Sequence, residues 1–433
     1  MTHPMHSGSF SSTDYRQKLL PLKRREELHD IWLEQRLNSL LPDLMQREKL
    51  EMWIVTSREY NDDPVVISLT PAPCMSPRRR TMLVFVQKPG SAPERINLSR
   101  YSFGPLYTDV WDPHKENQFD CLARIVREHN PRSIGLNFSD TFAFADGLSH
   151  SSYQSIVKAL GQDVAARIVS AEPLALGWLE QRIPAEMTVY PAIVDLGHAI
   201  IAEAFSSRVV HPGITTTADI EWWMREKMLS MGLDAWFHPT VDLQGSGEPE
   251  EVMGQHRGNP RTTILPGDLL HCDMGFYYLG LATDQQELAY VLKPGEADAP
   301  EGLKEGLRAG NCLQDIHMNT MQVGKTGNQV LKDALQQARA EGLDPMIYSH
   351  PLGYHGHAAG PVIGLWDFQD GVPGGGDYPV YDHTCYSIEL NVKKAVAEWG
   401  GKMVTFALEQ DAVMTGGQMC WLSGRQTEFH LIP

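Results

Sequence analysis

The sequence lacks any uninterrupted apolar run close to the ~18 residues that a membrane-spanning helix requires. Its first seventeen residues, MTHPMHSGSFSSTDYRQ, also lack the basic start and apolar core of a secretory signal. We therefore expect no membrane span and a cytoplasmic location, although a matured exported chain would start in the same way.

Paired cysteines and a basic excess are also missing. The six cysteines are scattered without a CxxC pair, which gives no support to a disulfide framework or a structural zinc site. The formal net charge is −17, whereas proteins that bind nucleic acid normally present a basic surface to the phosphate backbone. We therefore expect no nucleic-acid partner.

The length of 433 residues is too great for one ordinary core and predicts two domains. Short strand-like runs alternate with helical segments in the first part, which predicts an α/β domain at residues 1–178. Helical segments and glycine-punctuated strands predict an α+β domain with a bent antiparallel sheet at residues 179–433. We expect Pro21 and Pro42 to interrupt the first helical pattern, and one long helix after Ile183.

Four acids stand inside strand-like apolar runs of the second part. Asp273 and Asp284 lie in HCDMGFYYLGLATDQQELAYVL, Glu389 lies in YSIELNV, and Glu409 lies in VTFALEQDAV. A lone strand acid usually faces solvent, because a carboxylate that faces a core costs several kcal/mol unless it is paired or metal-bound. Together with the histidine-rich segment SHPLGYHGH, the four acids predict a ligand set for two divalent cations such as manganese, cobalt or zinc.

At these residues the sequence resembles the pita-bread metallopeptidases, which include methionine aminopeptidase, Xaa-Pro aminopeptidase, prolidase and the metal-free creatinase. HCDMG is similar to the family's first metal-ligand strand, and Asp284 follows Asp273 by eleven residues, as the family's second aspartate does. YSIEL and ALEQDAVMT resemble its two glutamate motifs. The resemblance implies a C-terminal pita-bread catalytic domain and an N-terminal α/β domain similar to that of creatinase, which favours the Xaa-Pro branch.

The histidine segment fits the family motif in two registers. The family's ligand histidine begins a His-x-apolar-Gly motif, and a second histidine that contacts the substrate and the tetrahedral intermediate follows seven residues later. A motif at His357 places Gly364 at the second position, whereas a motif at His350 places His357 there. We prefer the second register, with His350 as metal ligand and His357 as catalytic contact.

The resemblance implies a complete catalytic site. Its presumed metal ligands are Asp273, Asp284, His350, Glu389 and Glu409. Two cations, manganese first, would lower the pKa of a shared water so that hydroxide attacks the scissile carbonyl. The implied substrate is a small peptide, for which proline at the second position is one option, and the implied assembly is a homodimer. His256, seventeen residues before Asp273, is a further substrate contact by resemblance, while supporting roles for His355 and His271 stay open.

Several positions depart from the family pattern and put substrate preference in question. Glu287 and Ala407 replace two customary arginines, Leu390-Asn391 replaces Pro-Gly, and Ala358 replaces an acid. The sequence therefore predicts a dinuclear Xaa-Pro aminopeptidase or prolidase-like peptidase. A metal-dependent hydrolase of a non-peptide C–N bond is the first alternative, and a non-catalytic peptide-binding module is the second.

Overall fold

The structure is a computed structural model that describes residues 12–88, 90–247 and 262–433. It contains two compact units. One unit is Leu20–Ala185, and the other is Glu186–Pro433 together with the described residues before Leu20. The predicted boundary after residue 178 stays a prediction. Within the described residues, none of the helices combines the length and apolar character needed to cross a lipid bilayer.

The N-terminal unit is built on a mixed sheet of six described strands in the order β4-β3-β2-β1-β5-β6. After α1 (Ser12–Arg16), the elements through this unit are α2 (Leu22–Arg47), β1 (Met52–Arg58), β2 (Arg80–Lys88), β3 (Ser91–Asn97), β4 (Thr108–Asp109), α3 (Gln118–His129), β5 (Ile134–Leu136), α4 (His150–Leu160), α5 (Gln162–Ala165), β6 (Ile168–Ser170) and α6 (Glu172–Glu180). β1 pairs antiparallel with β2 and parallel with β5, and the apolar residues of α3 cover this sheet. The predicted α/β character of this region is confirmed.

Two helix predictions are wrong. Helix α2 continues through Pro42, because the buried residues Leu37, Leu41 and Leu44 form one apolar stripe whose packing outweighs the missing proline N–H. The expected long helix after Ile183 is divided into α7 (Pro184–Met187) and α8 (Tyr190–Ala204).

The C-terminal unit holds a sheet of nine described strands. Its remaining elements are α9 (Thr217–Ser230), β7 (Asp234–Ala235), β8 (Thr240–Gln244), β9 (Leu269–Met274), β10 (Phe276–Tyr278), β11 (Leu281–Ala282), β12 (Gln285–Val291), α10 (Glu301–Thr320), α11 (Gly327–Ala340), β13 (Pro345–Ile347), β14 (His350–Leu352), β15 (Cys385–Val396), β16 (Lys402–Thr415), β17 (Gln418–Trp421) and β18 (His430–Ile432). The main path is β13-β15-β16-β12-β9-β8; β14 pairs with β15, β17 with β16 and β18 with β12. β7, β10 and β11 form a small separate sheet.

Alternation along β16 separates the core from the polar residues of the sheet. Phe406 and Leu408 belong to the main apolar cluster beneath α10, and a Cβ added at Gly306 of this helix would lie 2.0 Å from the Phe406 ring. Because successive strand residues point to opposite faces, Ala407 and Glu409 point away from α10. The apolar face of β16 packs against the core and holds the strand in place, and the opposite face of β16 carries the candidate functional side chains.

Candidate metal centre

The acids of the site lie in one row across four neighbouring strands. Asp273 of β9 is directly opposite Gln286 of β12, Gln286 is opposite Glu409 of β16, and Glu409 is opposite Glu389 of β15. Directly paired residues share one face of a sheet, and like charges in such pairs destabilise it. This row of three carboxylates therefore needs positive charge or protons.

Asp284 and His350 complete the group from the ends of two strands. Asp284 immediately precedes β12, and its N–H donates to the Asp411 carboxylate at 3.3 Å. His350 begins β14, and its Nδ1 lies 2.9 Å from the Pro351 carbonyl, to which it donates. Its Nε2 therefore faces the acids, 3.5 Å from Asp284 Oδ2 and 3.4 Å from Glu409 Oε1.

The ligand atoms fit divalent cations. Three overlapping groups have ligand atoms within 4.8 Å of one another: Asp273–Asp284–Glu409, His350–Glu389–Glu409 and Asp284–His350–His357. Among the described residues, Asp273 Oδ1, Asp284 Oδ1 and His350 Nε2 are buried without a hydrogen-bond partner. Buried polar atoms are normally satisfied, and a set of carboxylates with one or two imidazoles suits hard-to-borderline divalent ions.

The pKa values of these side chains also indicate that the site has too little positive charge. Burial raises the pKa of Asp273, Asp284 and Glu389 well above ordinary carboxyl values, and the negative charge of Glu409 raises each further. Burial alone lowers the pKa of His350, but the neighbouring Glu409 and Glu389 raise it to about 9. Without a cation these groups retain protons, so metal binding releases protons.

His357 lies at the exposed side of the ligand group. Its ring centroid is 4.5 Å from that of His350 and 5.2 Å from that of Trp236. Partial desolvation, followed by the charge on His350, lowers the pKa of His357 to about 4, so the ring is neutral at pH 7. His355 lies in the preceding turn and is in none of the three ligand groups of the described residues. His256 lies outside the described residues.

The two positions that lack an arginine differ in where they point. Glu287 points to the face of β12 opposite Gln286, where its carboxylate binds the His198 and His430 rings. Burial alone raises its pKa, but the two rings lower the pKa of Glu287 to about 2. Ala407 is buried, shares its face of β16 with Glu409, and brings no charge to the site.

Three residues that contact the ligands had no assigned role in the sequence prediction. Gln286 Nε2 donates to Glu389 Oε1 at 2.6 Å and to Glu409 Oε2 at 2.8 Å. Ser387 Oγ donates to Glu409 Oε1 at 2.6 Å, and Ser349 Oγ donates to the Glu389 carbonyl at 2.9 Å. The sequence signal for Gln286 is its place two residues after Asp284, on the same face of an apolar strand.

Known proteins share this architecture. The X-Pro aminopeptidase of Thermotoga maritima is 14% identical, with 89% of this chain and 99% of that chain covered and a TM-score of 0.62. The dipeptidase PepE of Mycobacterium ulcerans is 15% identical, with 94% and 99% covered and a TM-score of 0.61. The Xaa-Pro dipeptidase of Bacillus anthracis is 15% identical, with 91% and 98% covered and a TM-score of 0.58. At these identities the likeness shows the fold, and the predicted pita-bread architecture is confirmed.

Sequence comparison identifies the family. A search of curated proteins gives no match. The model of metallopeptidase family M24 matches residues 192–415, which is more than half of the chain. This region includes every presumed metal ligand named above, so the resemblance stated from the sequence motifs is confirmed. The chain belongs to metallopeptidase family M24.

Proposed function

We propose that the protein is a dinuclear metal-dependent peptidase of the Xaa-Pro aminopeptidase or prolidase type. One observation carries the dinuclear part of this proposal: Glu409 belongs both to the Asp273–Asp284–Glu409 group and to the His350–Glu389–Glu409 group. A carboxylate shared between two ligand groups can hold two ions side by side. Manganese is the first choice, because four of the five proposed ligands are carboxylates, with cobalt or zinc as alternatives.

In hydrolysis, five residues of the protein would bind the metal ions, and His357 would contact the substrate. Bound divalent ions supply Lewis acidity and a nucleophile at neutral pH. Asp273, Asp284, Glu389, Glu409 and His350 hold the ions, and the Nδ1 contact of His350 with the Pro351 carbonyl leaves Nε2 for the metal. His357 is neutral and exposed, so one ring nitrogen can donate a hydrogen bond to the oxyanion that develops on the substrate carbonyl.

The substrate is proposed to be a small peptide, with proline after the scissile bond as the first class to test. Ala407 favours a second candidate, the hydrolysis of a non-peptide C–N bond, because its position beside Glu409 provides no cation for a substrate carboxylate. The two candidates use the same metal centre and differ in the group beyond the scissile bond.

The decisive experiment is a substrate panel. The full chain, stripped of metal and then given Mn²⁺, Co²⁺ or Zn²⁺ separately, is assayed with Xaa-Pro dipeptides, Xaa-Pro tripeptides and non-peptide amides and amidines. Turnover of the Xaa-Pro peptides with at least one metal is expected. Turnover of the non-peptide compounds alone favours the second candidate, and tight peptide binding without hydrolysis by any sample would make the protein a binding module. Elemental analysis that finds no divalent metal in the native protein contradicts the dinuclear centre.

We also propose a cytoplasmic location and, as the family resemblance implies, a homodimer. Sedimentation velocity of the purified chain tests the assembly, and a single species of 48.5 kDa contradicts it.

A further inference from the structure

We propose that Gln286 is a positioning residue that selects which oxygens of Glu389 and Glu409 face the metal ions, and that His271 and Asp242 fix its amide. This inference rests on the proposed dinuclear function. Gln286 is 4% exposed and lies within the row of carboxylates across the sheet. It is directly opposite Asp273 on one side and Glu409 on the other.

The amide nitrogen of Gln286 contacts both glutamates. It lies 2.6 Å from Glu389 Oε1 and 2.8 Å from Glu409 Oε2, and an amide NH₂ has two hydrogens to donate. The other oxygen of each glutamate faces His350, whose Nε2 is 4.0 Å from Glu389 Oε2 and 3.4 Å from Glu409 Oε1. Gln286 thus binds one oxygen of each carboxylate. The other oxygen, which in Glu409 also accepts from Ser387 Oγ, lies on the side of the proposed metal ligand His350.

The two glutamates set the orientation of the amide, and His271 contacts its other end. A flipped amide would present its oxygen to the Glu389 and Glu409 carboxylates, which are acceptors, so the nitrogen faces them as observed. The amide oxygen then accepts from His271 Nε2 at 2.9 Å. His271 is directly opposite Asp242 of β8, and its Nδ1 is 3.8 Å from Asp242 Oδ2, so this carboxylate can hold the ring in place.

Neither a glutamate nor an apolar side chain meets these demands at the centre of the row. A glutamate there would place a further carboxylate beside Asp273 and Glu409, and like charges directly opposite each other destabilise a sheet. An apolar side chain would leave Glu389 Oε1 without the donor it has now. Glutamine is neutral and supplies two hydrogens from one nitrogen, so it orients two ligands without competing for the cation.

The test uses Gln286→Met, which keeps the length of the side chain and removes its hydrogen bonds. Metal-free full-length protein is titrated with Mn²⁺ by calorimetry, and Co²⁺ binding is followed by visible absorption, which reports ligand geometry. Because partners of metal ligands typically contribute 10–100-fold to affinity, Gln286→Met should weaken Mn²⁺ binding about 10-fold or more and alter the Co²⁺ spectrum. If this variant does not fold, Gln286→Ala replaces it with the same expected result.

Gln426→Met is the matched control. Gln426 is also buried and also contacts β12, where it bonds the Leu288 N–H at 2.8 Å and carbonyl at 2.7 Å, but it contacts no proposed ligand. Its loss should lower stability and leave Mn²⁺ affinity within twofold of the wild type. Equal weakening in both variants, or no change in Gln286→Met, overturns the positioning role. A wild-type protein that binds no divalent ion refutes the proposed function instead.

Discussion

The two faces of strand β12 carry buried carboxyl groups in opposite electrostatic situations. On the face that carries Gln286, Asp273 and Glu409 of the neighbouring strands belong to a group of acids with too few cationic partners. On the other face, Glu287 has an imidazole at each carboxylate oxygen. Burial raises the pKa of Asp273, whereas His198 and His430 lower the pKa of Glu287 to about 2.

The contrast shows that burial of an acid does not by itself mark a metal site. Glu287 is as buried as any proposed ligand, but each of its carboxylate oxygens contacts an imidazole ring of the protein, and its contribution is structural. The ligand acids have unsatisfied atoms at Asp273 and Asp284 within the described residues, and this shortage is what a cation would fill.

The largest effect is expected from Asp284→Asn. This substitution removes the charge of one proposed metal ligand. Loss of a residue that only contacts a ligand typically lowers activity 10–100-fold, so loss of the ligand itself should lower activity on the best substrate by more than about 100-fold. The metal-free variant should be at least as stable as the metal-free wild type, because burying Asp284 beside Glu409 costs either charge repulsion or the uptake of a proton, and asparagine avoids both. Metal analysis and thermal unfolding of stripped protein check the two outcomes. Unchanged metal content, or a marked loss of stability without metal, would show that Asp284 is structural like Glu287.

The next effect distinguishes the roles of His350 and His357 in SHPLGYHGH. His350→Ala should lose bound metal and therefore activity. His357→Ala should keep its metal and lose about 10²–10³ in kcat, the usual effect of removing one hydrogen-bond donor to an oxyanion. Elemental analysis with steady-state kinetics distinguishes them. Loss of metal in His357→Ala with retention in His350→Ala would mean that the other register of the motif is correct.

A smaller effect, confined to stability, is expected from Glu287→Gln. Replacing the carboxylate between His198 and His430 should lower the free energy of unfolding at pH 7 by about 3 kcal/mol, the scale that corresponds to a Glu287 pKa of about 2 in place of 4.5. The folded-state pKa is about 2, below the ordinary value of 4.5. The contribution of Glu287 is therefore present above pH 4.5 and is lost as the pH falls towards 2.

Urea unfolding of the wild type and Glu287→Gln between pH 7 and pH 3 measures this dependence. The difference between the two proteins should shrink with falling pH, while their Mn²⁺ affinities at pH 7 remain equal. A difference that stays constant with pH would mean that the carboxylate is not the stabilising group. A change in Mn²⁺ affinity would mean that the two faces of β12 are coupled.

Much of the fold and the set of ligand candidates could be predicted from the sequence. Each acid interrupts an apolar strand pattern locally, so Asp273 and Glu409 are visible without a structure. The positioning of Glu389 and Glu409 by Gln286 could not be predicted, because it depends on the pairing of residues 286 and 409, which are far apart in the chain. Likewise, His198 and His430 are separated from Glu287 by 89 and 143 residues. The continuation of α2 through Pro42 depends on tertiary packing, which overrides local propensity.

The pairing of β18 with β12 has a consequence for the order in which the sheet can be completed during synthesis. β18 is made after every other strand of this sheet, yet it lies parallel to residues 289–291 and brings His430 to Glu287. Until residue 430 has been synthesised, only His198 of the two imidazole partners of Glu287 has been made. Because such long-range pairs form slowly, we expect the contact of His430 with Glu287 to form late in the folding of this unit.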